Sequence, residues 1–247
     1  MTTIVSLNDV FKFYGKDSNQ LAVLRGVSFD VAEGEFVCIM GPSGSGKSTL
    51  LHIISGLDEP SAGSVSLFGE DLGKMSPSAR TLLRRRTVGY VFQFFNLLPN
   101  LSVEENVGLP IAIQGRRPDA ERERIHGLLG RFGLSERLGH FPHQLSGGQM
   151  QHTSIARALA GDQPLLLCDE PTGNVSQRAG REVMETLRRV VDEDKKSVLL
   201  VTHNPRDAGY ADRVLFLVDG EIQREPVLQG PGIPVEQIHD TLAALHI

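Results

Sequence analysis

The sequence predicts an α/β protein with a mainly parallel sheet, an N-terminal antiparallel β subdomain and an inserted helical subdomain. Apolar strand-like runs alternate with amphipathic helical stretches near the start and again near the end of the chain. Such βα repetition is typical of a parallel sheet covered by helices. The middle of the chain instead carries helix signals and few strand-like runs, which indicates an insertion.

The first segment of the chain alternates apolar and polar side chains, which is the pattern of half-buried strands. The alternation runs from Ile4 to Val10 and returns at Val27, Phe29 and Val31 before turn residues follow. We therefore expect short antiparallel strands here.

The core begins with a fully apolar run, Val37–Met40, that stops at Gly41. A helical apolar pattern follows from Ser48 to Ile54, so this stretch predicts a strand, a loop and a helix. The order returns late in the chain as the strand LLLCDE, an amphipathic stretch, the strand SVLLVTH and the hairpin RVLFLVDGEI.

Two further segments complete the predicted organisation. A helical subdomain is expected at about residues 96–160, inside a domain of residues 1–225, because four prolines punctuate this stretch and strand-like runs are scarce. Residues 226–247 form a C-terminal extension. It starts with the linker-like PVLQGPGIP and ends in a short helix with Ile238, Leu242 and Leu245 on one face.

Composition restricts the possible functions. The 247 residues are 40% apolar and 22% charged, which is ordinary for a globular protein, and the net charge of −5 argues against nucleic-acid binding. Cys38 and Cys168 lie inside apolar runs and are expected to be free core thiols of a reducing compartment. No run approaches the roughly 20 apolar residues of a membrane-spanning helix, so a membrane role is expected to require a partner.

The strongest motif lies between the first core strand and its helix. The segment from Gly41 to Thr49 fits the pattern G-x-x-x-x-G-K-[ST], in which glycines let backbone N–H groups surround phosphate oxygens at the start of a helix. This predicts a P-loop NTPase core. Its expected phosphate-binding residues are Gly41, Ser43, Gly44, Ser45, Gly46, Lys47, Ser48 and Thr49. Lys47 would reach the β- and γ-phosphates and the Ser48 hydroxyl would hold Mg²⁺. The alternative is a Gly/Ser-rich turn with an incidental lysine.

A second motif places two acids at the end of an apolar strand, as Asp169 and Glu170 in LLLCDE. Acids in this position are costly unless they meet a cation or act in catalysis. Asp169 is expected to support Mg²⁺, and Glu170 to polarise the attacking water as general base. The alternative is a helix cap or a surface turn.

The third motif is LSGGQ, which precedes a helix. Ser146, Gly147, Gly148 and Gln149 can present helix-terminal N–H groups to an anion. Alone, the motif would equally describe a polar turn that caps a helix.

Together these motifs resemble the nucleotide-binding domain of ATP-binding cassette (ABC) proteins, from about Leu7 to Glu225. The resemblance implies an ATPase with ATP and Mg²⁺ as its cofactors. It also implies that LSGGQ completes the nucleotide site of the opposite protomer. The protein is therefore expected to act as a homodimer, or as a heterodimer with a similar ATPase.

The resemblance assigns roles to three further residues. Tyr14 would stack on adenine, Gln93 would sense Mg²⁺ and the attacking water, and His203 would contact the γ-phosphate. Taken alone, Tyr14 would be an ordinary strand residue, and a histidine at a strand end is more often structural.

Within the family, FQFFNLLPNLSVEENVGLP and DEPTGN look most like the ATPases of lipoprotein-releasing and macrolide-export systems. This implies integral membrane permease subunits as partners and a position at the cytoplasmic face of the inner or plasma membrane. Phe94, Phe95, Leu97 and Leu98 are expected to line the permease-docking groove. Alternatively, they fill the core of the helical subdomain, which is our expectation for at least two of the four.

Two positions depart from the family pattern. Relatives usually have aspartate where this chain has Ser176, and arginine where it has His152. Loss of the acid is expected to weaken hydrolysis or coupling, and a histidine replaces a permanent cation with one whose charge depends on pH. These changes motivate an alternative function, a slowly hydrolysing regulatory switch at the membrane. A cassette acting on ribosomes or DNA is disfavoured by the acidic charge.

Overall fold

The structure is a computed structural model that describes residues 2–15, 20–225 and 227–247. Two sheets and a set of helices fill these ranges. The strands are β1 Thr3–Tyr14, β2 Leu21–Ala32, β3 Phe36–Met40, β4 Ala62–Leu67, β5 Glu70–Asp71, β6 Val88–Val91, β7 Leu165–Asp169, β8 Ser197–Thr202, β9 Arg213–Val218, β10 Glu221–Ile222 and β11 Leu228–Gln229. The α-helices are α1 Lys47–Ile54, α2 Pro77–Thr87, α3 Val103–Ile113, α4 Arg122–Arg131, α5 Gly147–Ala160, α6 Gln177–Asp192, α7 Pro205–Ala208 and α8 Val235–Ala244.

The N-terminal sheet is antiparallel, in the order β2-β1-β4-β5. The predicted antiparallel pairing is confirmed, but the prediction of short strands is wrong, because β1 and β2 each span 12 residues. Several register shifts interrupt their ladder, and each shift breaks the two-residue alternation that sequence reading depends on. β4 and β5 were not predicted, since the AGSVSL segment of β4 alternates too weakly to indicate a strand.

The second sheet runs β10-β9-β3-β8-β7-β6, and β11 also pairs with β9. β3 lies in its middle with all five residues buried, between the parallel strands β8 and β9. β7 and β6 continue the parallel part beyond β8. Because parallel strands end at the same edge, the loops after β3, β7 and β8 meet there. The candidate site lies at this edge.

Between residues 96 and 160 the described chain forms helices and no strand, with α3, α4 and α5 as the longest elements. Ser102 begins α3 in a reciprocal cap with Glu105, which explains why SVEE starts a helix. α3 and α4 both pack on α5. α5 in turn buries Ile155 and Ala156 in the core cluster that contains β3, which joins the helical subdomain to the sheet.

The C-terminal extension packs on the same core. Ile233 and Ile238 are buried in a cluster with Phe36 and Phe216 of the central sheet. The linker predicted from PVLQGPGIP is partly wrong, because Leu228–Gln229 pair with β9 as β11. Leu228 is buried, so an apolar side chain in a Pro- and Gly-rich stretch drives the pairing. Pro226 lies outside the described residues.

Both cysteines are buried and free, as predicted. Cys38 lies on β3 and Cys168 on β7, and both are in register with Leu200 of the intervening strand β8. A whole strand therefore separates the two thiols.

Candidate functional site

The loop between β3 and α1 requires glycine at two positions for different reasons. A side chain at Gly41 would place its Cβ 2.1 Å from the Leu217 carbonyl oxygen, so the backbones are too close for any other residue. Gly46 is the N-cap of α1 and has φ 103°, and a Cβ there would lie 2.9 Å from the Val23 carbonyl oxygen. Strands β2 and β9 therefore pack closely against this loop, which leads into the start of α1.

Lys47 is the first residue of α1, and its side chain extends back into this loop. Its Nζ donates to the carbonyl oxygens of Gly41 and Pro42, each at 2.9 Å, and lies 3.9 Å from Glu170 Oε1. Burial lowers the pKa of Lys47, while the nearby Glu170 and Asp169 carboxylates oppose that shift. The ammonium group is thus fixed in the cavity that the loop encloses, where an anionic ligand would compensate its charge.

Ser48 and Asp169 meet across the site. The Ser48 hydroxyl donates to Asp169 Oδ1 at 3.0 Å, which joins α1 to the end of β7. Burial raises the pKa of Asp169, and the bond from Ser48 counteracts part of that rise. This oxygen donor set suits Mg²⁺. Within residues 2–15, 20–225 and 227–247, however, no group of three His, Cys, Asp or Glu side chains forms a metal cage, so phosphate oxygens would have to complete the coordination.

Glu170 and His203 form the centre of the site. Glu170 directly follows β7 in the left-handed backbone region, with φ 46°, and is 9% exposed. Its Oε1 lies 2.8 Å from His203 Nδ1, and its Oε2 accepts from the Thr202 hydroxyl at 3.2 Å. An unfavourable backbone conformation held at a buried carboxylate is a frequent mark of functional sites.

The sequence alone did not predict three polar residues near Glu170, which are Thr172, Thr202 and Asp207. Asp207 is 4% exposed, and its carboxylate accepts hydrogen bonds from the hydroxyls of Thr172 and Thr202. Burial raises the pKa of Asp207 to about 6, although these two hydrogen bonds lower it. The sequence signal was the acid three residues after Asn204, which looks like an ordinary surface residue of a short helix.

A cavity of about 310 Å³ contains most of the predicted nucleotide residues. Its lining includes Ser43, Gly44, Gly46, Lys47, Ser48, Thr49, Gln93, Glu170 and His203. Gln93 reaches it from the segment after β6, and its backbone oxygen accepts from Asn174 Nδ2 at 2.9 Å. The cavity therefore brings together the loop, Glu170 and the link to the helical subdomain, while Asp169 is joined to it through Ser48.

Gly41, Ser45 and Tyr14 are not part of that lining. Gly41 is the first residue of the loop and faces Leu217, and Ser45 is buried, with no hydrogen-bond partner for its hydroxyl among the described residues. Tyr14 ends β1, with its hydroxyl donating to Asp58 Oδ2 at 2.7 Å and the Lys12 ammonium 4.9 Å from its ring centroid. Stacking of Tyr14 on adenine stays a prediction.

The LSGGQ segment also lies outside the cavity. Ser146 is the N-cap of α5, and it and Gln149 form a reciprocal capping box. Gly147 packs against Asn174 and Val175, just before α6, and Gly148 against the first turn of α6, where its Cβ would lie 2.9 Å from the Ala179 Cβ. None of the four residues from Ser146 to Gln149 lines the cavity in the part of the chain that the structure describes, and contact of the segment with nucleotide stays a prediction.

The two departures from the family pattern have clear local settings. Ser176 is the N-cap of α6, accepting from the Ala179 N–H, so it keeps the cap that an aspartate would also supply. His152 stacks on Phe132, with ring centroids 6.1 Å apart. Burial lowers the pKa of His152. The pH-dependent cation suggested by the sequence is therefore disfavoured in the fold at neutral pH.

The expected docking residues are accessible. Phe94 is 70% exposed and Leu98 is 41% exposed, while Phe95 and Leu97 are half-buried. None of the four fills the core of the helical subdomain, which contradicts that alternative. Beside them lies a cavity of about 330 Å³, with apolar lining residues that include Leu57, Phe92, Leu109, Pro110 and Ile113.

A glycine-rich loop around a buried lysine, followed at the same sheet edge by an acid pair and a histidine, defines a nucleotide-binding protein of the P-loop class. Residues 24–173 match the family described as "ABC transporter". The chain belongs to the ABC transporter family. As a member of this family it is an ATP-binding subunit and an ATPase, which confirms the predictions of family, fold and activity.

Similar proteins agree with this assignment. The chain is 43% identical to the lipoprotein-releasing system ATP-binding protein LolD of Geobacter metallireducens, over 90% of this chain and 99% of that one. It is 43% identical to the macrolide export ATP-binding/permease protein MacB of Syntrophobacter fumaroxidans, over 90% of this chain and 31% of that one. Among solved structures it is similar to the dimeric ATP-binding cassette MJ0796 of Methanocaldococcus jannaschii bound to ADP and Pi. The TM-score is 0.84 and the identity 40%, covering 92% of this chain and all of that one.

Proposed function

We propose that this chain binds ATP at the loop between β3 and α1 and hydrolyses it in a dimer, driving separate membrane permease subunits. The observation that carries the proposal is the meeting of Lys47, Glu170 and His203 in one cavity at the end of the parallel strands. The positive end of α1 and the Lys47 ammonium attract the phosphates. Lys47 would exchange its contacts with Gly41 and Pro42 for phosphate oxygens.

Glu170 acts as the general base for the attacking water. Its carboxylate is buried and directed into the cavity, and one oxygen already contacts His203. A base must lie within hydrogen-bond reach of the proton that it takes, so a water held against Glu170 Oε1 would attack the γ-phosphate. His203 is 56% exposed at its side chain, so it can turn from Glu170 towards the phosphate when ATP enters.

Ser48 and Asp169 would hold Mg²⁺, with Gln93 at the rim of the same cavity. When bound, the ion neutralises charge on the β- and γ-phosphate oxygens. This pair of oxygen donors fits the ion, because a cation next to Asp169 would offset the burial that raises the pKa of this carboxyl.

A second copy completes each site through Ser146, Gly147, Gly148 and Gln149. The start of α5 offers N–H groups to an anion, yet it lies outside the cavity of its own copy. The relative of known structure is described as a dimer. Two copies facing each other would place α5 of one against the nucleotide of the other.

The permease docks at the exposed apolar surface beside Gln93. Phe94 and Leu98 flank a cavity with a largely apolar lining, and Gln93 connects this surface to the nucleotide. Arg84 and Arg85, on the last turn of α2, border the cavity and add positive charge. Among the described residues, every helix is too short or too polar to span a bilayer. The similarity to ATP-binding proteins of membrane transport systems supports a position at the cytoplasmic face of the inner or plasma membrane, peripheral through the permease.

Phosphate release from Mg-ATP tests the proposal. Wild type should turn over ATP, and Glu170→Gln should lose about a hundredfold or more of the rate while still binding ATP. Glu236→Gln, an exposed residue of α8, is the matched control and should behave as wild type. Wild-type turnover in Glu170→Gln would remove Glu170 as the base.

One observation favours a second function, a slowly hydrolysing switch that regulates a membrane partner. Ser176 presents a neutral hydroxyl already used to cap α6, so the segment between Glu170 and α6 lacks the acid that relatives use there. In that case stimulation by the permease would be weak, and nucleotide binding rather than turnover would control the partner.

A further inference from the structure

Asp207 is a buried carboxylate that forms no salt bridge with any Lys, Arg or His side chain among the described residues. Among the described residues its side chain contacts Thr172 Oγ1, Thr202 Oγ1 at 3.4 Å and Asn204 Nδ2 at 3.1 Å, none of which is charged. Burying a charge on neutral partners is costly, so such a group is kept only where it has a task.

That task is not capping α7, the short helix that contains Asp207. Asn204 fills the N-cap position, and its side-chain oxygen accepts from the Arg206 N–H. One oxygen of the Asp207 carboxylate accepts from the Asn204 side chain, and the other reaches the segment that follows Glu170.

One carboxylate oxygen of Asp207, Oδ2, accepts from two hydroxyls that lie on different segments. Thr172 is two residues after Glu170 and packs against the first turn of α6, where a Cβ on Gly180 would be 3.4 Å from the Thr172 Cβ. Thr202 ends β8 and precedes His203. Through these two hydrogen bonds, Asp207 therefore links the segment that leads to Ser176 with the segment that carries His203.

Thr202 connects Asp207 to the reacting groups. Its hydroxyl lies 3.2 Å from Glu170 Oε2 and 3.4 Å from Asp207 Oδ2, and it accepts from the Asn204 N–H at 3.0 Å. A hydroxyl has one proton to donate, so the two carboxylates compete for it. When Asp207 is charged it competes with Glu170 for this proton, and when it is neutral Thr202 can donate to Glu170 alone.

We propose that Asp207 is a positioning residue for hydrolysis: through Thr172 and Thr202 it sets the orientation of Glu170 and couples the Thr172–Ser176 segment to His203. The proposal rests on the proposed role of Glu170 as base and extends it. Because Gly147 packs on the Thr172–Ser176 segment and Gly148 on the first turn of α6, closure of a dimer at the start of α5 would be transmitted through this segment to the base.

The test is single-turnover hydrolysis of Mg-ATP across pH 5.5 to 8.5, with ATP affinity measured in parallel. Asp207→Ala should slow hydrolysis about ten- to hundredfold, since a small misplacement of a reacting group has effects of this size, while the Kd for ATP changes less than about threefold. Asp240→Asn, an exposed residue of α8, is the matched control and should match wild type.

The pH profile separates positioning from simple structural support. Other titratable or charged groups around Asp207 are Glu170, His203, Cys38, Arg181, Arg206 and Tyr210. Asp207→Asn leaves all of these in place. Wild type should show an inflection near pH 6 that Asp207→Asn lacks, because burial raises the pKa of Asp207 to about 6.

A second pair of variants covers the case in which changes at position 207 prevent folding. Thr172→Val should reproduce the slow hydrolysis, and Thr172→Ser, which keeps the hydroxyl, should restore it. Folded Asp207→Ala or Thr172→Val with the rate and pH profile of wild type would overturn the proposal. Wild-type turnover in Glu170→Gln, run alongside, would instead overturn the role of Glu170 and with it this proposal.

Discussion

The charge on Asp207 should make the protein less stable as the pH rises. Burial raises the pKa of Asp207 from its ordinary value of 3.8 to about 6 in the fold, while the unfolded chain keeps the ordinary value. Between these pH values the folded state holds a proton that the unfolded state has lost, so raising the pH favours unfolding. The stabilisation is fully present below about pH 4 and is lost as the pH passes about 6.

The size of this effect follows from the shift. Roughly two pKa units at 1.36 kcal/mol each give about 3 kcal/mol, and with the residue only 4% exposed solvent screening reduces this little. Asp207→Asn removes the titration and preserves the shape. Wild type should therefore lose up to about 3 kcal/mol of unfolding free energy relative to Asp207→Asn between pH 4 and pH 7.

Urea unfolding of both proteins at matched pH measures this difference directly. Contributions from other titrating groups are common to the two proteins and cancel when they are compared. Parallel stability curves over this range would refute the reasoning, because they would show that the Asp207 carboxyl titrates alike in the folded and unfolded states.

Three further outcomes are expected. Gly41→Ala should lower the free energy of unfolding by more than about 3 kcal/mol or abolish nucleotide binding, because its Cβ would lie 2.1 Å from the Leu217 oxygen. Gly44→Ala, at a position with φ 83° and open space, should lower the free energy measured by thermal unfolding by only about 1 kcal/mol. Lys47→Ala should raise the Kd for ATP about tenfold or more, whereas Lys74→Ala, at an exposed lysine, should not, and equal affinities would contradict the role of Lys47. Ser176→Asp should speed single-turnover hydrolysis while keeping the α6 cap, and an unchanged rate would count against the missing acid as the cause of slow turnover.

Much of the fold could be predicted because its signals are local. The apolar run Val37–Met40 ending at Gly41 marks a buried strand and a loop without any tertiary information. The hairpin at Asp219-Gly220 joins β9 to β10 as its turn residues indicate. β11 could not be predicted, because Leu228 pairs with Val214, 14 residues earlier in the chain, through burial rather than through local propensity.

The residues of the candidate site also fall into two groups, those that local sequence signals predict and those that only the fold reveals. Residues inside motifs, such as Lys47 and Glu170, are found by spacing and by resemblance. Asp207 is not, because its role depends on two hydroxyls 35 and five residues away that only the fold brings to it. The environment of His152 is equally invisible in sequence, since the stacking on Phe132 and the burial that lowers its pKa come from the packing of α5.

The central claim is that the start of α5 in one copy completes the nucleotide site of another. Light scattering of Glu170→Gln with Mg-ATP measures it most directly, because this variant should bind ATP without consuming it. We expect a dimer with ATP and a monomer with ADP, and we expect Glu170→Gln combined with Ser146→Arg to stay monomeric, because the arginine would fill the space at the start of α5. A Glu170→Gln protein that binds ATP at saturation and remains monomeric would contradict the account.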